Sequence, residues 1–251
     1  MSRFRAILMY HSLDDSGSVL SIEPSVFRSQ MRSLFERGIP SVTPQQLLAG
    51  QGFEAGQPAL SLTFDDGFAN FYTQAFPALS DFRLKATVFL VAGYGGGVSD
   101  WPGQPGEFRS RDLLTWSKIA ELQKAGVQIG AHSMTHPSLT RLPFDKAREE
   151  VLGSKRALED RIGEPVTTFA YPYGAENEPL RRLVAENFEI GCSTRLGYLS
   201  AEPKPESLER VDVCYLRDLF WFRRLFRRST GAYLVARAAL RRGKQTLLGP
   251  A

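Results

Sequence analysis

The segment TFDDG at residues 63–67 decides how this sequence is interpreted. It closes the apolar run ALSLTF at residues 59–64, which predicts a buried strand, and it places Asp65 and Asp66 directly after that strand. Of two adjacent carboxylates, one can bind a metal ion while the other stays free to act as a base. The segment therefore predicts a strand whose C-terminal end carries chemistry.

Two other segments place polar side chains at the ends of predicted strands. HSMTHP at residues 132–137 follows an apolar strand at 127–131, and FAYPYG at 169–174 overlaps another at 167–171. The chain has three histidines, and the third, His11, follows the first predicted strand. One histidine at such a place is more simply explained as a satisfied structural residue, but all three at strand ends favour a shared site.

Predicted strands and helices alternate along the chain. Short runs rich in apolar residues predict strands at 6–10, 39–42, 59–64, 86–92, 127–131, 167–171 and 190–194. Amphipathic helices are predicted between them, at 25–37, from Thr43 onward, and at 69–82, 112–126, 143–162 and 178–187. This alternation predicts an α/β fold with a parallel sheet or barrel, in which the C-terminal ends of the strands converge on one face.

These converging ends offer the ligands of a catalytic metal site. Such a site typically has three protein ligands and one open position. His132, His136 and one carboxylate supply that set, because histidines four residues apart can face the same side of a helical turn. The sequence therefore predicts a divalent-metal centre built from residues that are distant along the chain.

TFDDG, HSMTHP and FAYPYG resemble, in the same order, the first three signature motifs of the polysaccharide deacetylases, also called NodB-like domains or carbohydrate esterase family four. The resemblance covers roughly residues 6–214. It implies an irregular (β/α) barrel of seven parallel strands. It also implies a metal-dependent hydrolase that removes the N-acetyl group of an amino sugar of the GlcNAc type and releases acetate.

The resemblance also implies roles for the motif residues. By carry-over, Asp65 is the general base and Tyr173 offers its backbone N–H to the oxyanion. The metal ligands are Asp66, His132 and His136. Zn²⁺ is the first choice for an Asp-His-His site, although Co²⁺, Ni²⁺ or Fe²⁺ also fit these ligands.

The chain departs from the family pattern at the residue that orients the base. Many members have an arginine in the third motif, where this chain has Ala170. Arg195 and Arg210 are candidates to replace it or to contact the substrate, although an ordinary surface salt bridge explains either of them as well. Further substrate contacts are expected from Pro172 in the third motif and from Trp101 in a long glycine-rich loop.

A second departure concerns the general acid. Many members have a late histidine in this role, whereas no histidine follows His136 here. LMYHS at residues 8–12 resembles the opening of the branch that includes the poly-N-acetylglucosamine deacetylases, in which the barrel is circularly permuted and the strand with the catalytic histidine comes first. By this resemblance His11 is the general acid, and its titration range suits protonation of a leaving amine. The alternative is a strand-end histidine that hydrogen-bonds only the backbone.

Positive charge is concentrated in the C-terminal part of the chain. Residues 215–251 hold eight arginines and one lysine against one aspartate, a net charge of +8, which leaves −4 of the total +4 for residues 1–214. We therefore predict a catalytic domain at 1–214 and a basic helical tail at 215–251. Residues 219–234 predict an amphipathic helix that either lies on an anionic membrane or packs on the barrel with a solvated arginine face. No motif supports nucleic-acid binding.

The hydropathy pattern bears on location. The first apolar run is interrupted by His11, so it is too short for an export signal, and no other run is long enough to cross a bilayer. We expect a cytoplasmic protein, with any membrane contact at the inner face. For such a protein, a lipid-linked or nucleotide-linked precursor, or a glycan intermediate made inside the cell, fits better than mature cell wall.

Two other functions are compatible with the fold. One is an amidase that cleaves a non-carbohydrate C–N bond, and the other is a non-catalytic barrel that binds a glycan or lipid. The intact set Asp65, Asp66, His132 and His136 argues against both, because amidase relatives often lose part of it. No oligomeric state is predicted.

Overall fold

Seven parallel strands form a closed barrel in the computed structural model, which describes residues 5–104 and 106–248. For Glu107, Arg242 and residues 244–248 it describes the backbone alone. The strands are β1 (Arg5–Tyr10), β2 (Ser12–Leu13), β3 (Ser21–Ile22), β4 (Ala59–Phe64), β5 (Thr87–Leu90), β6 (Gln128–Ala131), β7 (Thr168–Ala170), β8 (Ile190–Leu196) and β9 (Leu208–Asp212). The barrel order is β1-β4-β5-β6-β7-β8-β9, and β9 pairs back to β1. The predicted seven-stranded parallel barrel is confirmed.

The strands alternate between two buried faces, as the period of two in a strand requires. Alternate residues from six of the barrel strands, among them Ile7, Ala59 and Phe89, form one hydrophobic cluster inside the barrel. Their neighbours, such as Leu8 and Leu60, belong to a larger cluster that the surrounding helices share. Every residue of β4 is buried, because both of its faces are covered.

Eight α-helices occur in the described part of the chain. They are α1 (Pro24–Glu36), α2 (Pro44–Ala49), α3 (Phe76–Asp81), α4 (Trp116–Lys124), α5 (Phe144–Ile162), α6 (Glu178–Asn187), α7 (Leu219–Phe222) and α8 (Arg228–Leu248). The predicted helix from Thr43 onward is observed as α2, and a capping box stabilises its start. The Thr43 hydroxyl accepts the Gln46 N–H, and the Gln46 side chain accepts the Thr43 N–H. None of the described helices combines the length and the apolar character needed to cross a bilayer.

Three predicted elements differ from those observed. The strand predicted at 39–42 is reduced to a single bridge between Ser41 and Leu60, and Pro40 has no N–H to extend it. The helix predicted from residue 112 begins only at Trp116, because Asp112 and Leu113 pair with other loop residues. The helix predicted at 69–82 opens with the π-helical turn Phe71–Ala75 before α3.

The C-terminal tail is not the single helix predicted at 219–234. It forms α7 and α8, separated by residues 223–227. Phe222, Leu225 and Leu234 are buried in the same cluster as the barrel helices, so this part of the tail packs on the barrel. The division into 1–214 and 215–251 stays a prediction, and residues 1–4 and 249–251 of those ranges lie outside the described residues.

Candidate metal centre and catalytic cleft

The predicted site residues meet at the C-terminal ends of the barrel strands. A cavity of about 240 Å³ at this end is lined by residues from the ends of six barrel strands, from two loops and from α8. They include the predicted residues His11, Asp65, Asp66, His132, His136 and Tyr173. They also include residues that the sequence did not single out, namely Met9, Leu20, Gln104, Tyr171, Thr194, Asp212 and Arg241.

Asp66, His132 and His136 form a buried triad with the spacing of a metal site. Oδ1 of Asp66 lies 3.5 Å from Nε2 of His132 and 3.3 Å from Nε2 of His136, and the two Nε2 atoms are 3.2 Å apart. Tetrahedral ligands at about 2.0–2.2 Å from an ion lie about 3.3–3.6 Å from one another. Oδ1 of Asp66 is buried and has no hydrogen-bond partner among the described residues. The triad therefore fits a tetrahedral divalent ion with one open position.

Hydrogen bonds and charges prepare the triad for this role. Nδ1 of His132 lies 2.8 Å from the Ala170 carbonyl, which fixes the ring so that Nε2 faces the site. Burial raises the pKa of Asp66, but its close contacts with both histidine side chains outweigh that effect, and the pKa lies well below its usual value. Burial lowers the pKa of His136 below its usual value, which favours the neutral ring that a metal needs.

Trp101 packs against His136. It does not present a surface to substrate, contrary to the prediction. Its ring is fully buried, and its centroid lies 4.9 Å from that of His136. The Tyr173 ring contacts the same imidazole at 4.7 Å. The loop does cover the cleft, but Gln104 is the residue that lines it. Pro172 is likewise buried, so its predicted substrate contact is not borne out by its position.

The motif segments carry an unusual backbone. Of the six described non-glycine residues with positive φ, four lie in the three motif segments, namely Asp66, Ser133, His136 and Tyr173 at 57° to 71°. Left-handed φ at such residues costs on the order of 1–3 kcal/mol and persists only where surrounding contacts hold it. The concentration of strain at this end of the barrel marks it as the functional site.

Helix α5 holds the strained histidine segment. One carboxylate oxygen of Glu150 accepts the N–H groups of Met134 and Thr135 at 2.9 and 2.8 Å, and the other accepts the Thr135 hydroxyl at 2.7 Å. The Ser133 hydroxyl accepts the His136 N–H at 2.9 Å. These bonds position His136 without using its ring.

Arg210 replaces the arginine that the third motif lacks. It is fully buried, and its Nη1 and Nη2 each donate to one oxygen of Asp65 at 2.7 Å. Burial alone would raise the pKa of Asp65, but the charge of Arg210 outweighs it and the pKa lies below its usual value. Because the guanidinium is enclosed, Arg210 is placed to orient Asp65 and is not accessible to substrate, so its position contradicts the second of its two predicted roles.

Arg195 has a different environment. It pairs with Glu176, lies 3.5 Å from Glu209 and donates to the Ser207 hydroxyl at 2.7 Å. None of its described partners is Asp65, so it is not the orienting residue. It lies on the outer rim, beside a second cavity next to the cleft.

His11 and Tyr173 lie at the cleft as predicted. Nε2 of His11 is 4.0 Å from Oδ2 of Asp65, and the His11 side chain is 14% exposed. Tyr173 is 40% exposed and turns at a φ of 57°. Gly174 follows with a φ of 69°, and a Cβ there would collide with the Thr194 side chain, so only glycine allows this turn. The roles of His11 and of the Tyr173 N–H stay predictions.

Two residues of the cleft, Asp212 and Arg241, carried no signal in the sequence. Asp212 ends β9, and it becomes a site residue only because β9 pairs with β1 in the closed barrel. Arg241 lies in the basic tail, where the sequence suggested a membrane contact or a solvated face. Its place in the cleft depends on how α8 packs.

Comparison with known proteins gives one family. The sequence profile of the polysaccharide deacetylases matches residues 54–190. The polysaccharide-deacetylase-like protein YxkH of Bacillus subtilis is 28% identical over 210 residues, which cover 82% of this chain and 70% of that protein. The poly-beta-1,6-N-acetyl-D-glucosamine N-deacetylase of Escherichia coli is 28% identical over 222 residues, covering 72% of this chain and 33% of that enzyme.

Solved structures agree with this match. The deacetylase PplD of Streptococcus pyogenes, in complex with acetate, superposes with a TM-score of 0.71 at 26% identity, covering 82% of this chain and 91% of that one. IcaB from Ammonifex degensii gives a TM-score of 0.69 at 25% identity, with coverages of 83% and 91%. The barrel fold is therefore shared with a solved deacetylase.

Proposed function

The chain belongs to the polysaccharide deacetylase family, and we propose that it is a metal-dependent hydrolase that removes the N-acetyl group of an amino sugar and releases acetate. One observation carries the proposal. A buried Asp-His-His triad lies in the same cavity as Asp65, a second carboxylate that Arg210 orients. A barrel that only bound glycans would have no need for this strained and buried constellation.

Asp66, His132 and His136 would hold the ion. Zn²⁺ is our first choice because one oxygen and two nitrogen donors in this spacing suit a tetrahedral ion, and Co²⁺, Ni²⁺ and Fe²⁺ are alternatives. When bound, the ion supplies Lewis acidity, which lowers the pKa of a coordinated water and polarises the acetamide carbonyl.

Asp65 accepts the proton of the attacking water in this scheme. Arg210 keeps the carboxylate ionised through the neutral range and holds its plane with two hydrogen bonds. Both Nη atoms of Arg210 hold the Asp65 carboxylate from the barrel side. The carboxylate can therefore change its protonation state without rotating away from the cleft. The orientation that the family's third-motif arginine would supply comes here from β9.

His11 and Tyr173 act on the other atoms of the acetamide. His11 protonates the departing nitrogen, and its 4.0 Å separation from Asp65 lets both groups reach one tetrahedral centre. The Tyr173 N–H donates to the developing oxyanion, and the left-handed turn at Tyr173 is the device that would aim it.

The direct test is acetate release from a panel of N-acetylated sugars by protein loaded with each metal in turn. Asp65→Asn should retain the metal and lose about two to four orders of magnitude in turnover, the usual range for a general base. Asp81→Asn makes the same change at an exposed carboxylate of α3 and should leave turnover unchanged. Release of acetate from non-carbohydrate amides alone would favour the amidase alternative, and sugar binding without turnover would favour the non-catalytic one.

We propose, in addition, a peripheral contact of the tail with the inner face of an anionic membrane, which would place a cytoplasmic enzyme near lipid-linked substrates. The outward side of α8 is apolar, since Ala232, Val235 and Ala239 are exposed there, Val235 to 68%. Exposed arginines precede this side at Arg223, Arg224, Arg227 and Arg228. Apolar and basic side chains on one surface are typical of helices that bind anionic lipid.

Vesicle sedimentation tests this contact. The wild-type protein should sediment with vesicles that contain phosphatidylglycerol and not with phosphatidylcholine alone. Val235→Ser should weaken the binding, while Val19→Ser, at an equally exposed valine far along the chain, should not. Equal sedimentation with both lipids, or no effect of Val235→Ser, would mean that α8 is only a solvated face.

A further inference from the structure

A second cavity of about 210 Å³ lies beside the candidate catalytic cleft. Tyr173, Thr194 and Arg241 line both spaces, so a substrate with its N-acetyl group at the metal triad can extend past them. Leu196 and Ala238 form part of the second cavity's wall. None of its described lining residues is acidic, whereas two of them are arginines.

Arg241 has hydrogen-bond donors to spare at this junction. It lies on the inward side of α8, and its Nη1 is buried without a hydrogen-bond partner among the described residues. Nη1 forms a long ion pair with Asp212, whose Oδ2 is 3.7 Å away, but this separation is beyond hydrogen-bond distance. A buried guanidinium nitrogen without a partner is costly unless a ligand satisfies it.

Arg195, the other arginine of this cavity, is already neutralised. Glu176 and Glu209 flank its guanidinium, and the Ser207 hydroxyl and carbonyl accept from it. It therefore forms a fixed wall, and Arg241 is the residue with donors directed into the space that the two cavities share. Thr194 adds a hydroxyl at the same junction.

We propose that this second cavity is an anion subsite, and that Arg241 selects substrates with a carboxylate or phosphate group next to the N-acetylated sugar. The inference rests on the proposed function for the sugar itself. A guanidinium offers two parallel N–H donors that match carboxylate and phosphate oxygens, which a neutral glycan lacks. Arg241 belongs to α8, outside the motifs that the family shares, so it acts on specificity and not on the reacting atoms.

Binding and turnover with three probes test the subsite. The probes are N-acetylglucosamine 1-phosphate, N-acetylmuramic acid, which carries a carboxylate, and neutral N-acetylglucosamine. Calorimetric Kd values on protein without added metal should favour at least one charged probe over the neutral one by about tenfold or more. Arg241→Gln should remove that preference, and in the loaded enzyme it should raise KM for the charged probe by a larger factor than KM for the neutral sugar.

Arg237→Gln is the matched control. It removes the same charge one helical turn earlier on α8, from an exposed side chain that rests on Tyr215 and Tyr233 and lines neither cavity. A preference lost equally in both variants, or absent from the wild-type protein, would overturn the subsite. A phosphate-only or carboxylate-only preference identifies the anion. Acetate release without charge preference would refute the subsite alone, whereas Arg241-dependent binding without any acetate release would refute the proposed function alone.

Discussion

Arg210 and Asp65, 145 residues apart in sequence, meet inside the barrel through two hydrogen bonds of 2.7 Å. Nε of Arg210 donates to the Ser193 carbonyl at 2.8 Å, and Nη1 also approaches the Thr63 hydroxyl at 3.2 Å. The guanidinium is thus satisfied on several sides by residues of β4 and β8 and by Asp65, which follows β4. A pair with this degree of enclosure links the stability of the barrel to the orientation of Asp65, the proposed base.

Removing one member of this pair should destabilise the protein strongly. Arg210→Met leaves the Asp65 charge buried without a partner, and we expect a loss of about 3–5 kcal/mol in the free energy of unfolding. In an Asp65→Asn background the same substitution should cost much less, because no charge is then stranded. Urea denaturation of the four proteins of this double-mutant cycle measures the coupling. Additive losses would show that the two side chains act independently.

The metal triad predicts a simple pattern of metal content. Changing Asp66, His132 or His136 to alanine should abolish stoichiometric metal binding, because each supplies one of only three ligands. The domain should stay folded, since its core is large and the triad lies at the strand ends. Elemental analysis and circular dichroism of each variant check both parts. A His132→Ala protein with full metal occupancy would remove the central assignment.

His11 is predicted to act only when the amine leaves. His11→Ala should therefore keep the metal and the substrate KM but lower kcat. The alkaline limb of the pH–rate profile should change as well, because that limb reports loss of the acid's proton. His11→Gln, which keeps a hydrogen-bonding side chain but cannot titrate, should behave like His11→Ala. If either variant retains the wild-type rate and profile, His11 is a structural residue.

Asp14 gives a prediction for stability against pH. Burial raises the pKa of this carboxyl, but hydrogen bonds from Ser12, Ser16 and Ser21 outweigh it and lower the pKa in the folded protein. A group with a depressed folded pKa stabilises the protein above its unfolded pKa of about 4 and loses that contribution as the pH falls toward the folded value.

The wild-type advantage over Asp14→Asn should accordingly be full at neutral pH and shrink as the pH falls below about 4. Ser21→Ala removes one donor, which lies 2.9 Å from the Asp14 carboxylate, and should reduce the advantage in part. Denaturation curves at a series of pH values provide the measurement. An advantage that grows on acidification would contradict the sign of this linkage.

The class of fold and the chemical centre could both be predicted from local patterns in the sequence. Alternating apolar runs and amphipathic helices require a parallel sheet covered by helices, and such a sheet brings strand ends together whatever the loops contain. Buried strands precede the four residues of the centre, Asp65, Asp66, His132 and His136. Local propensity and periodicity were therefore enough to predict that these residues converge. His11 reached the same end for the same reason.

Which of Arg195 and Arg210 pairs with Asp65 could be seen only in the tertiary structure. The two residues lie on adjacent strands. The face of the sheet on which a side chain lies depends on the register of its strand, and an irregularity of one residue moves it to the other face. Between β8 and β9 the pairing shifts from Cys192 with Leu208 to Leu196 with Arg210, so four residues of one strand span two of the other. Because the excess is two residues, the alternation of faces is kept, so Arg210 shares the inner face with Leu208 whereas Arg195, three residues after the inward-facing Cys192, is left on the rim.

The position of Arg241 was likewise a tertiary result. The composition of the tail showed a basic segment, but it could not show which side of α8 would pack. Buried residues such as Leu234 fix the rotation of that helix, which carries Arg241 into the cleft and leaves Val235 outside. Helix rotation is set by the fit of one surface against another, and that fit exists only once the barrel has formed.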